Sequence, residues 1–571
     1  MLSSSFPLSS RSEPAPLLLA SRLHTRFQDP GSELLSELAA AYGPDPDVLR
    51  ERARAAAEAL RRFLETHGDL PCTVYRAPAR LSLNPHCDHQ GAWVPYAPHV
   101  RELLCVAGPT LDESFSITNV DSRFREQLTF SVPEEIERGR SGWSEGWLPY
   151  VETPGVTQTV AAHVDSKGTQ RERTGTINYV KAGALKLRHA FPDHPQPGLR
   201  LTLHGNITQG GGQSSSSALV VATQLTLAIH AGLPVDRRRL AELGGEGEWY
   251  VGTRGGSGDH AAILLGRRGG LAHLRFEAPV GVREVRYSRF PEEYELLVAN
   301  SQTRSEKSAE ERLLFNRGVF AYRFAFLALK DAMRDLGLPE SLIAETACLG
   351  DLHVGRLDES DLYRLLLRLP EHATPEELAR RYPDRFPAAA RGCFGTDDLA
   401  RLPADIPLRG AAIYGLGRVD RGWVMPELLE QGDESAMAEF GRLMSITHDG
   451  DRLYRHQAEY TENRVRVGDN HLGIALTAVT GGARRPLRHE PGFYGASIAE
   501  LDRLVDAAER VEGVLGAGLM GAGGGGYVLI LARRGRQDAI GAALTRDYYQ
   551  PLGKEPDVEV WRPTAAACRI A

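Results

Sequence analysis

Long apolar runs are absent from this sequence of 571 residues. A helix that spans a bilayer needs about 20 consecutive apolar residues, and no run in the chain comes near that length. The N-terminal segment contains only the short run LLLA, which is too short for the apolar core of a secretory signal. We therefore expect a cytoplasmic protein that has no membrane partner.

Cysteine is scarce as well. The chain has six cysteines, and none of them forms a Cys-x-x-Cys pair. That spacing favours free thiols in a reducing compartment over a disulfide framework or a zinc site. A surplus of basic residues is also missing, since the formal net charge is −7. The sequence therefore predicts no nucleic-acid partner, although a local basic pocket for a phosphate remains compatible with it.

The order of helix and strand patterns indicates the fold class. Residues 1–30 are rich in serine, proline and leucine and are expected to be poorly ordered, whereas 32–66 have the pattern of amphipathic helices. From Cys72 onward, strand patterns come first and are then mixed with helix patterns without a regular alternation. Such an order is typical of α+β domains, and the chain is too long for a single core.

The stretch from Thr208 to Ala222, TQGGGQSSSSALVVA, lies between a predicted strand and a predicted helix. Glycines let backbone N–H groups approach an anion closely, and the first turn of a helix adds unpaired N–H donors. A phosphate cradle is one interpretation, and a flexible glycine-serine linker is the other. The stretch is not a Walker A loop, because G-x-x-x-x-G-K-[ST] is absent.

A second glycine cluster, GAGLMGAGGGGYVLILA, spans Gly516 to Ala532. Apolar residues bracket it on both sides, so we expect it inside a sheet region rather than in a linker. Its glycines indicate either a close approach of two backbones or a tight turn.

Two further stretches carry polar side chains that are suited to catalysis or binding. In GEGEWYVGTRGGSGDHAAILLG, Asp259 follows a glycine-rich turn, so it is either a helix N-cap or a general base for a substrate hydroxyl. In YRAPARLSLNPHCDHQGAWVPYA, Arg80 lies on a predicted strand, and His86, Asp88 and His89 crowd into the loop that follows. That cluster is compatible with a metal site, with a hydrogen-bonding cup for a polyol, or with a plain surface turn.

Taken in order, these four stretches resemble motifs of the GHMP small-molecule kinase superfamily, and within it the galactokinases. APARLSLNPHCDHQGAW is similar to the first motif, A-P-G-R-V-N-L-I-G-E-H-T-D-Y-N-G-G, and TQGGGQSSSSA to the second, P-x-G-x-G-L-S-S-S-A. EWYVGTRGGSGDH resembles the catalytic segment E-x-F-I-G-T-x-x-G-G-M-D-Q, and GAGLMGAGGGG resembles the third motif, G-A-x-x-T-G-A-G-x-G-G. The likeness covers residues 70–571.

The resemblance implies the two-domain α+β fold of GHMP kinases. Its N-terminal domain would be like domain 2 of ribosomal protein S5, and its C-terminal domain would be ferredoxin-like. The expected boundaries are 1–70 for an N-terminal extension that ends in helix, 71–290 for the ATP-binding domain and 291–571 for the C-terminal domain. The C-terminal domain would carry an insertion near 350–405, and ATP and its acceptor would meet in the cleft between the domains.

The resemblance also implies roles for single residues. Asp259 matches the catalytic aspartate, and Arg80 matches the arginine beside it. The implied Mg²⁺ ligands are Ser216, with an uncertainty of one residue in the serine run, and Glu248. The implied substrate-binding residues are His86, Asp88, Gly523 and Gly524. The implied ATP-binding residues are Gly210, Gly211, Gly212, Ser214, Ser215, Ser216 and Ser217.

The differences from the galactokinase motifs lie around the sugar rather than around ATP. The first motif is one residue shorter and lacks the glutamate before the histidine, and His89 replaces a tyrosine. The third-motif threonine becomes Met520, the tyrosine of S-E-Y-N-x-R falls at Phe315, and His260 replaces a glutamine. Losing a glutamate that binds a substrate hydroxyl changes recognition, because an unpaired buried polar group costs about 1–3 kcal/mol.

The sequence thus predicts an ATP- and Mg²⁺-dependent kinase of a small molecule. The expected acceptor is the anomeric hydroxyl of galactose or a related sugar. Two alternatives stay open: a galactokinase-like sensor that binds sugar and ATP without turnover, and a GHMP kinase that acts on a non-sugar polyol. In each case the expected partners are ATP and a small molecule.

Overall fold

The computed structural model describes residues 17–571 apart from residues 125, 166–167, 278–279, 305–308, 354 and 456–457. The side chains of residues 89, 163–165, 168–174, 309–312 and 463–464 also lie outside the description. The expectation of poor order over residues 1–30 is therefore tested only from residue 17 onward.

Strands and helices are both present along the described chain. The strands are β1 (Leu18–Leu19), β2 (Pro71–Ser82), β3 (Trp93–Pro109), β4 (Ser114–Asn119), β5 (Leu128–Ser131), β6 (Leu199–Gly205), β7 (Gly270–Glu277), β8 (Gly281–Arg289), β9 (Tyr294–Asn300), β10 (Tyr454–Arg455), β11 (Ala458–Glu459), β12 (Val514–Leu519), β13 (Tyr527–Arg533), β14 (Val558–Val560) and β15 (Cys568–Arg569). The α-helices are α1 (Ala20–Gln28), α2 (Ser32–Tyr42), α3 (Pro46–His67), α4 (Val132–Arg138), α5 (Arg140–Trp143), α6 (Trp147–Val151), α7 (Pro154–Asp165), α8 (Gly168–Ala190), α9 (Ser215–His230), α10 (Arg237–Gly247), α11 (Gly258–Leu265), α12 (Ala309–Asp335), α13 (Glu340–Glu345), α14 (Glu359–Arg368), α15 (Pro375–Arg381), α16 (Phe386–Phe394), α17 (Leu408–Gln431), α18 (Glu434–Asp449), α19 (Glu462–Arg466), α20 (Asp469–Thr480), α21 (Ala499–Glu509) and α22 (Gln537–Leu544). This mixture, 52% helical and 18% strand, confirms the predicted α+β class.

The N-terminal extension is helical from Ala20 onward, so the expectation of poor order is wrong for residues 20–28. α1 buries Ala20, Leu23 and Phe27, which recur at helical spacing and pack with α3. The apolar stripe outweighs the serine- and proline-rich composition around it. α1, α2 and α3 cover the side chains of Val74 and Val106 on one face of the first sheet.

The first sheet has nine strands, with the order β1-β2-β3-β6-β4-β5. β7 pairs with β3 and β8, and β15 brings the end of the chain back to β2. The face opposite the N-terminal extension is covered by α8, α9, α10 and α11, which share one hydrophobic core with the strands. This arrangement brings the carboxyl end of β2 next to the amino ends of α9 and α11.

The second sheet is antiparallel and has the strand order β12-β13-β9-β14. One of its faces packs on α17 and α18, and the other packs on α21 and α22. β12 and β13 contain the two ends of the second glycine cluster, which therefore lies in a sheet region as its apolar residues predict.

The predicted insertion near residues 350–405 contains α14, α15 and α16. These helices share a core with α12, α17 and α20. The insertion is therefore packed onto the C-terminal part of the chain. The boundaries expected at 70/71 and 290/291 stay predictions. Within the described residues, no helix combines the length and the apolar character that crossing a membrane requires.

Candidate active site

Arg80 and Asp259 meet at the edge of the first sheet. Arg80 lies near the carboxyl end of β2, and Asp259 is the second residue of α11. The N-cap of α11 is Ser257, so the N-cap interpretation of Asp259 is wrong. The Arg80 Nε donates to the Asp259 Oδ1 at 2.7 Å, and the Arg80 Nη1 donates to the Gly212 carbonyl at 2.5 Å. Arg80 thus ties the aspartate to the serine-glycine loop.

The surroundings of Asp259 keep its carboxylate ionised. The Ser214 hydroxyl donates to the Asp259 Oδ2, opposite the oxygen that Arg80 holds. Burial raises the pKa of Asp259, but the Arg80 guanidinium and the Ser214 hydroxyl outweigh burial and hold the pKa below its usual value. The Asp259 side chain is 35% exposed and that of Arg80 is 5% exposed, so the carboxylate is the member of the pair that faces solvent.

The two glycine clusters meet through their backbones. A Cβ on Gly526 would lie 2.2 Å from the Gly211 carbonyl oxygen, and a Cβ on Gly212 would lie 2.6 Å from the Met520 carbonyl oxygen. Gly212 and Gly526 also have positive φ angles, 73° and 86°, which side chains disfavour. The Tyr527 N–H donates to the Gly211 carbonyl at 3.2 Å. Both clusters therefore serve a close backbone approach, and the linker interpretation of the first does not fit.

Ser217 lies against Glu248. The Ser217 Oγ donates to the Glu248 Oε1 at 2.8 Å. Successive residues of an α-helix point about 100° apart, so neighbouring serines of α9 face different directions. Ser217 thus lies beside Glu248, one of the two implied Mg²⁺ ligands, within the one-residue uncertainty of the serine run, and the role of Ser216 stays a prediction.

The Ser217–Glu248 pair has the oxygen ligands that Mg²⁺ prefers. Among the described side chains, no group of three or more histidines, cysteines, aspartates or glutamates could hold a metal by itself. A Mg²⁺ ion commonly completes its shell with water and substrate phosphates, so a hydroxyl and a carboxylate fit such an ion next to a bound nucleotide. The Nε2 of the buried His260 lies 3.6 Å from the Glu248 Oε1.

A cavity of about 500 Å³ opens at the serine-glycine loop. Gly210, Gly211 and Ser215 line it, and its wall continues through residues 119, 121, 123 and 124 and through 302–304. The volume lies in the range of small-molecule sites. Three other predicted ATP-binding residues contact Arg80, Asp259 or Glu248 instead: Gly212, Ser214 and Ser217.

Asp88 borders the Arg80–Asp259 pair. Its Oδ2 accepts a hydrogen bond at 3.0 Å from the N–H of Gly258, the residue directly before Asp259. A Cβ on Gly258 would lie 2.2 Å from the Tyr96 hydroxyl oxygen, so the approach of Asp88 and Tyr96 requires glycine at this position. The first motif and the catalytic segment are joined here. The side chain of His89, the third member of the possible metal cluster, lies outside the described residues.

His86 packs into a network from the C-terminal part of the chain. Its ring stacks on Tyr494 at a centroid distance of 5.0 Å, and its Nδ1 lies 2.9 Å from the Tyr414 hydroxyl oxygen. A carboxylate only accepts, so the Tyr414 hydroxyl donates to the Asp451 Oδ1 at 2.8 Å. The Tyr414 hydroxyl oxygen can then accept a hydrogen bond from the His86 Nδ1–H. Arg418 donates to the Asp451 Oδ2 at 2.7 Å. His86 is therefore held by this network and is only 7% exposed.

The sequence analysis missed the partners of His86. Tyr414 and Arg418 lie on α17, and Asp451 follows α18, so only the tertiary fold brings them to the first motif. Burial raises the pKa of Asp451, but the charges of His86 and Arg418 outweigh burial and hold the pKa below its usual value. Arg418 carried no distinguishing signal, because α17 holds several charged residues and its sequence does not say which of them is buried with a partner.

Gly523 and Gly524 lie against the segment that carries Tyr494. The Gly524 N–H donates to the Ala496 carbonyl at 3.1 Å, and a Cβ on Gly523 would lie 2.0 Å from the same oxygen. The structure thus places these predicted substrate-binding glycines beside the His86 network.

Comparison with known proteins gives two family matches. Residues 178–267 match the model of the GHMP kinases N terminal domain, and residues 473–550 match that of the GHMP kinases C terminal. The first match contains the serine-glycine loop and Asp259, and the second contains the second glycine cluster.

Curated relatives and solved structures agree with these matches. The galactokinase of Roseiflexus sp. (strain RS-1) is 23% identical over 518 residues, which cover 90% of this chain and 97% of that protein. The galactokinase of Dictyostelium discoideum is 24% identical over 269 residues, 46% of this chain and 47% of that protein. The structure of Lactococcus lactis galactokinase complexed with galactose superposes with a TM-score of 0.53 at 18% identity and covers 89% of this chain and 98% of that one.

Proposed function

Because the chain belongs to the GHMP kinase superfamily and is galactokinase-like, with the two-domain fold of that superfamily, we propose that it transfers the γ-phosphate of ATP to a sugar hydroxyl. The observation that carries the proposal is the ionised Asp259, fixed by Arg80 and Ser214 at a glycine loop that borders a cavity of nucleotide size. Phosphoryl transfer depends mainly on positioning and on charge stabilisation, which this arrangement supplies.

Asp259 is the group proposed to act on the acceptor. Its carboxylate orients the acceptor hydroxyl and takes its proton while the hydroxyl oxygen forms a bond to the γ-phosphorus. The bond from the γ-phosphorus to the β,γ-bridging oxygen breaks, and ADP leaves with that electron pair. Arg80 keeps Asp259 ionised for this step and offsets negative charge on the transferred group.

The cradle for the triphosphate would be the loop before α9. Gly210 lines the cavity, and the first turn of α9 adds its unpaired donors and its positive dipole end, whereas the Gly211 N–H already donates to the Thr208 carbonyl at 3.2 Å. Ser217 and Glu248 would hold a Mg²⁺ ion, which neutralises phosphate charge when bound. These groups all come from residues 210–248, and the backbone of the second glycine cluster packs against that of the serine-glycine loop.

Galactose or a related sugar, phosphorylated at the anomeric hydroxyl, is the proposed acceptor. The support is the similarity to galactokinases along 90% of the chain. The first motif differs most from those relatives, and His86 in that motif is tied to Tyr414 and Asp451. We therefore expect the preferred sugar to differ from galactose in a hydroxyl that the missing glutamate would have bound. The paired Arg80–Asp259 and Ser217–Glu248 groups favour turnover over a silent sensor.

The test is an acceptor screen with ATP and Mg²⁺, read by mass spectrometry. Galactose, its epimers and deoxy sugars, amino sugars and cyclitols form the panel, and NMR locates the phosphate on each product. The proposal expects a sugar phosphate from the wild-type chain and none from Asp259→Asn. A matched control is Asp405→Asn. Within the described residues, the exposed Asp405 side chain pairs only with the exposed His372. No product from any sugar, or product only from a cyclitol, would overturn the sugar assignment.

A further inference from the structure

The carboxyl end of α16, in the insertion, is bound by residues of two distant segments. The last carbonyl groups of a helix lack donors within the helix. The Arg254 Nε donates to the Gly392 carbonyl at 3.0 Å, and the Asn316 Nδ2 donates to the Cys393 carbonyl at 2.7 Å. Gly395 ends the helix in the left-handed conformation. The helix end is therefore completed by side chains from outside the insertion.

Arg254 belongs to the catalytic segment, in the loop that leads from Glu248 to Asp259. Its Nη1 donates to the Trp249 carbonyl at 2.7 Å, so the same guanidinium also fixes the start of that loop. The Arg254 side chain is only 13% exposed, and burial lowers its pKa from the usual value. A cation is favourable at this place because the carboxyl end of a helix carries partial negative charge.

Asn316 lies on α12, directly after Phe315, in the segment that resembles S-E-Y-N-x-R. Asn316 is 7% exposed, and its amide is the donor for the last turn of α16. α16 therefore contacts both the catalytic segment and the segment of α12 in which the related motif carries its sugar-binding tyrosine.

A second part of the same region touches the first motif. A Cβ on Gly350 would lie 2.1 Å from the Gly91 carbonyl oxygen, and a Cβ on Gly91 would lie 2.3 Å from the Cys348 sulfur. Gly91 closes the loop that carries His86 and Asp88. The two backbones approach so closely that neither position has room for a side chain.

These contacts lie apart from the nucleotide cavity. Gly91, Arg254 and Asn316 are not among the residues that line the cavity. The insertion instead meets three segments, Gly91 with its loop, Arg254 and Asn316, and all three belong to motifs that resemble acceptor-binding or catalytic motifs.

We propose that the insertion is a fixed wall on the acceptor side of the cleft, and that Arg254 and Asn316 are positioning residues that hold the end of α16 in that wall. The proposal rests on the proposed kinase function and adds to it a region that selects the acceptor. Because the wall is fastened to the catalytic segment and to α12 by separate hydrogen bonds, loosening either bond changes how the acceptor is held and leaves the ATP side unchanged.

The test measures KM for the acceptor and for ATP in the full-length chain, with D-galactose and the best sugar of the screen as acceptors. Arg254→Met keeps the length of the side chain but removes its charge and donors, and Asn316→Leu removes the amide donor at nearly constant shape. Asn316→Leu removes one hydrogen bond and is expected to raise the acceptor KM about tenfold. Arg254→Met removes the bonds to both the Gly392 and the Trp249 carbonyls and is expected to raise it at least as much, with the KM for ATP within about twofold in both variants. Arg254→Lys restores part of the loss because it keeps the charge at the helix end.

The matched control is Arg391→Gln, on the same helix. Arg391 forms an exposed pair with Asp397, so its loss should change neither KM.

Unchanged acceptor KM in Arg254→Met and Asn316→Leu, with thermal melting like that of the wild type, would overturn the proposal while leaving the kinase function intact. Equal changes in both KM values would also overturn it, since the wall would then act on the whole site. If Arg254→Met does not fold, Asn316→Leu and Arg254→Lys decide the question. Absence of transfer in the wild-type chain would instead refute the proposed function.

Discussion

The proposed role of Ser217 as a Mg²⁺ ligand gives a sharp prediction. Replacing Ser217 by alanine removes a hydroxyl that lies 2.8 Å from the Glu248 carboxylate. The Glu248 side chain is 14% exposed, so water cannot easily replace the lost hydroxyl at its carboxylate. The variant loses one oxygen ligand and also the donor that orients Glu248.

The magnitude follows from the hydrogen bond that is removed. A hydrogen bond to a charged group contributes about 1.5–3 kcal/mol, which corresponds to about tenfold to a hundredfold in an equilibrium constant. Loss of a group that orients a metal ligand costs a similar factor of about 10–100 in metal affinity. We therefore expect the Mg²⁺ concentration for half-maximal rate to rise by about that factor in Ser217→Ala.

The assay is the initial rate of sugar phosphate formation against free Mg²⁺ at fixed ATP. Ser216→Ala is the matched variant, since it removes the same hydroxyl from the neighbouring position of α9. The reasoning is refuted if Ser216→Ala shifts the Mg²⁺ dependence more than Ser217→Ala does, or if Ser217→Ala leaves the dependence unchanged.

Three further predictions concern the neighbours of the catalytic pair. Ser214→Ala removes one of the donors that lower the pKa of Asp259, so the acid limb of kcat/KM, where Asp259 becomes protonated, should move to higher pH. Gly526→Ala places a Cβ 2.2 Å from a backbone oxygen, so it should weaken ATP binding and lower the melting temperature. Asp451→Asn breaks a fully buried ion pair and should lower the free energy of unfolding by about 3–5 kcal/mol in denaturant titrations. The stability that Asp451 contributes is present above the usual aspartate pKa and is lost as the pH falls through its lower folded value.

Each of these predictions has a control. An acid limb that stays in place in Ser214→Ala would contradict the role of that hydroxyl. Gly541→Ala meets no neighbour within 4 Å on α22, so it should be neutral, and equal losses in both glycine variants would contradict the close-approach argument. Asp405→Asn breaks an exposed pair and should cost well under 1 kcal/mol. Asp451→Asn must therefore exceed it clearly.

Local sequence patterns singled out the stretches that hold Arg80 and Asp259, whereas the roles of these two residues came from the resemblance and stay predictions. Arg80 and Asp259 each sit in a stretch whose glycines, strand and helix are adjacent in the chain, so their motifs are readable without tertiary contacts. The resemblance to known motifs joined the stretches, and the fold and the family matches confirm that class of protein. Which serine of the run faces Glu248 depended on the helix phase of α9, and the composition of the run does not carry that information.

The acceptor side was less readable because its groups come from distant segments. Tyr414, Arg418 and Asp451 reach His86 only after the C-terminal part of the chain folds back on the first motif. In the same way, the contact of Arg254 with α16 joins a loop and an insertion that share no local pattern. Burial of a charge demands a partner, but sequence spacing does not say which one.

The central claim is that Asp259 acts on the acceptor hydroxyl in a phosphate transfer from ATP. The most direct measurement is kcat for sugar phosphate formation by Asp259→Asn, with ATP binding followed in parallel by calorimetry. We predict a loss of about 10²–10⁴ in kcat, the usual contribution of a general base, with ATP affinity retained. A kcat within tenfold of the wild type in a variant that still binds ATP would contradict the account.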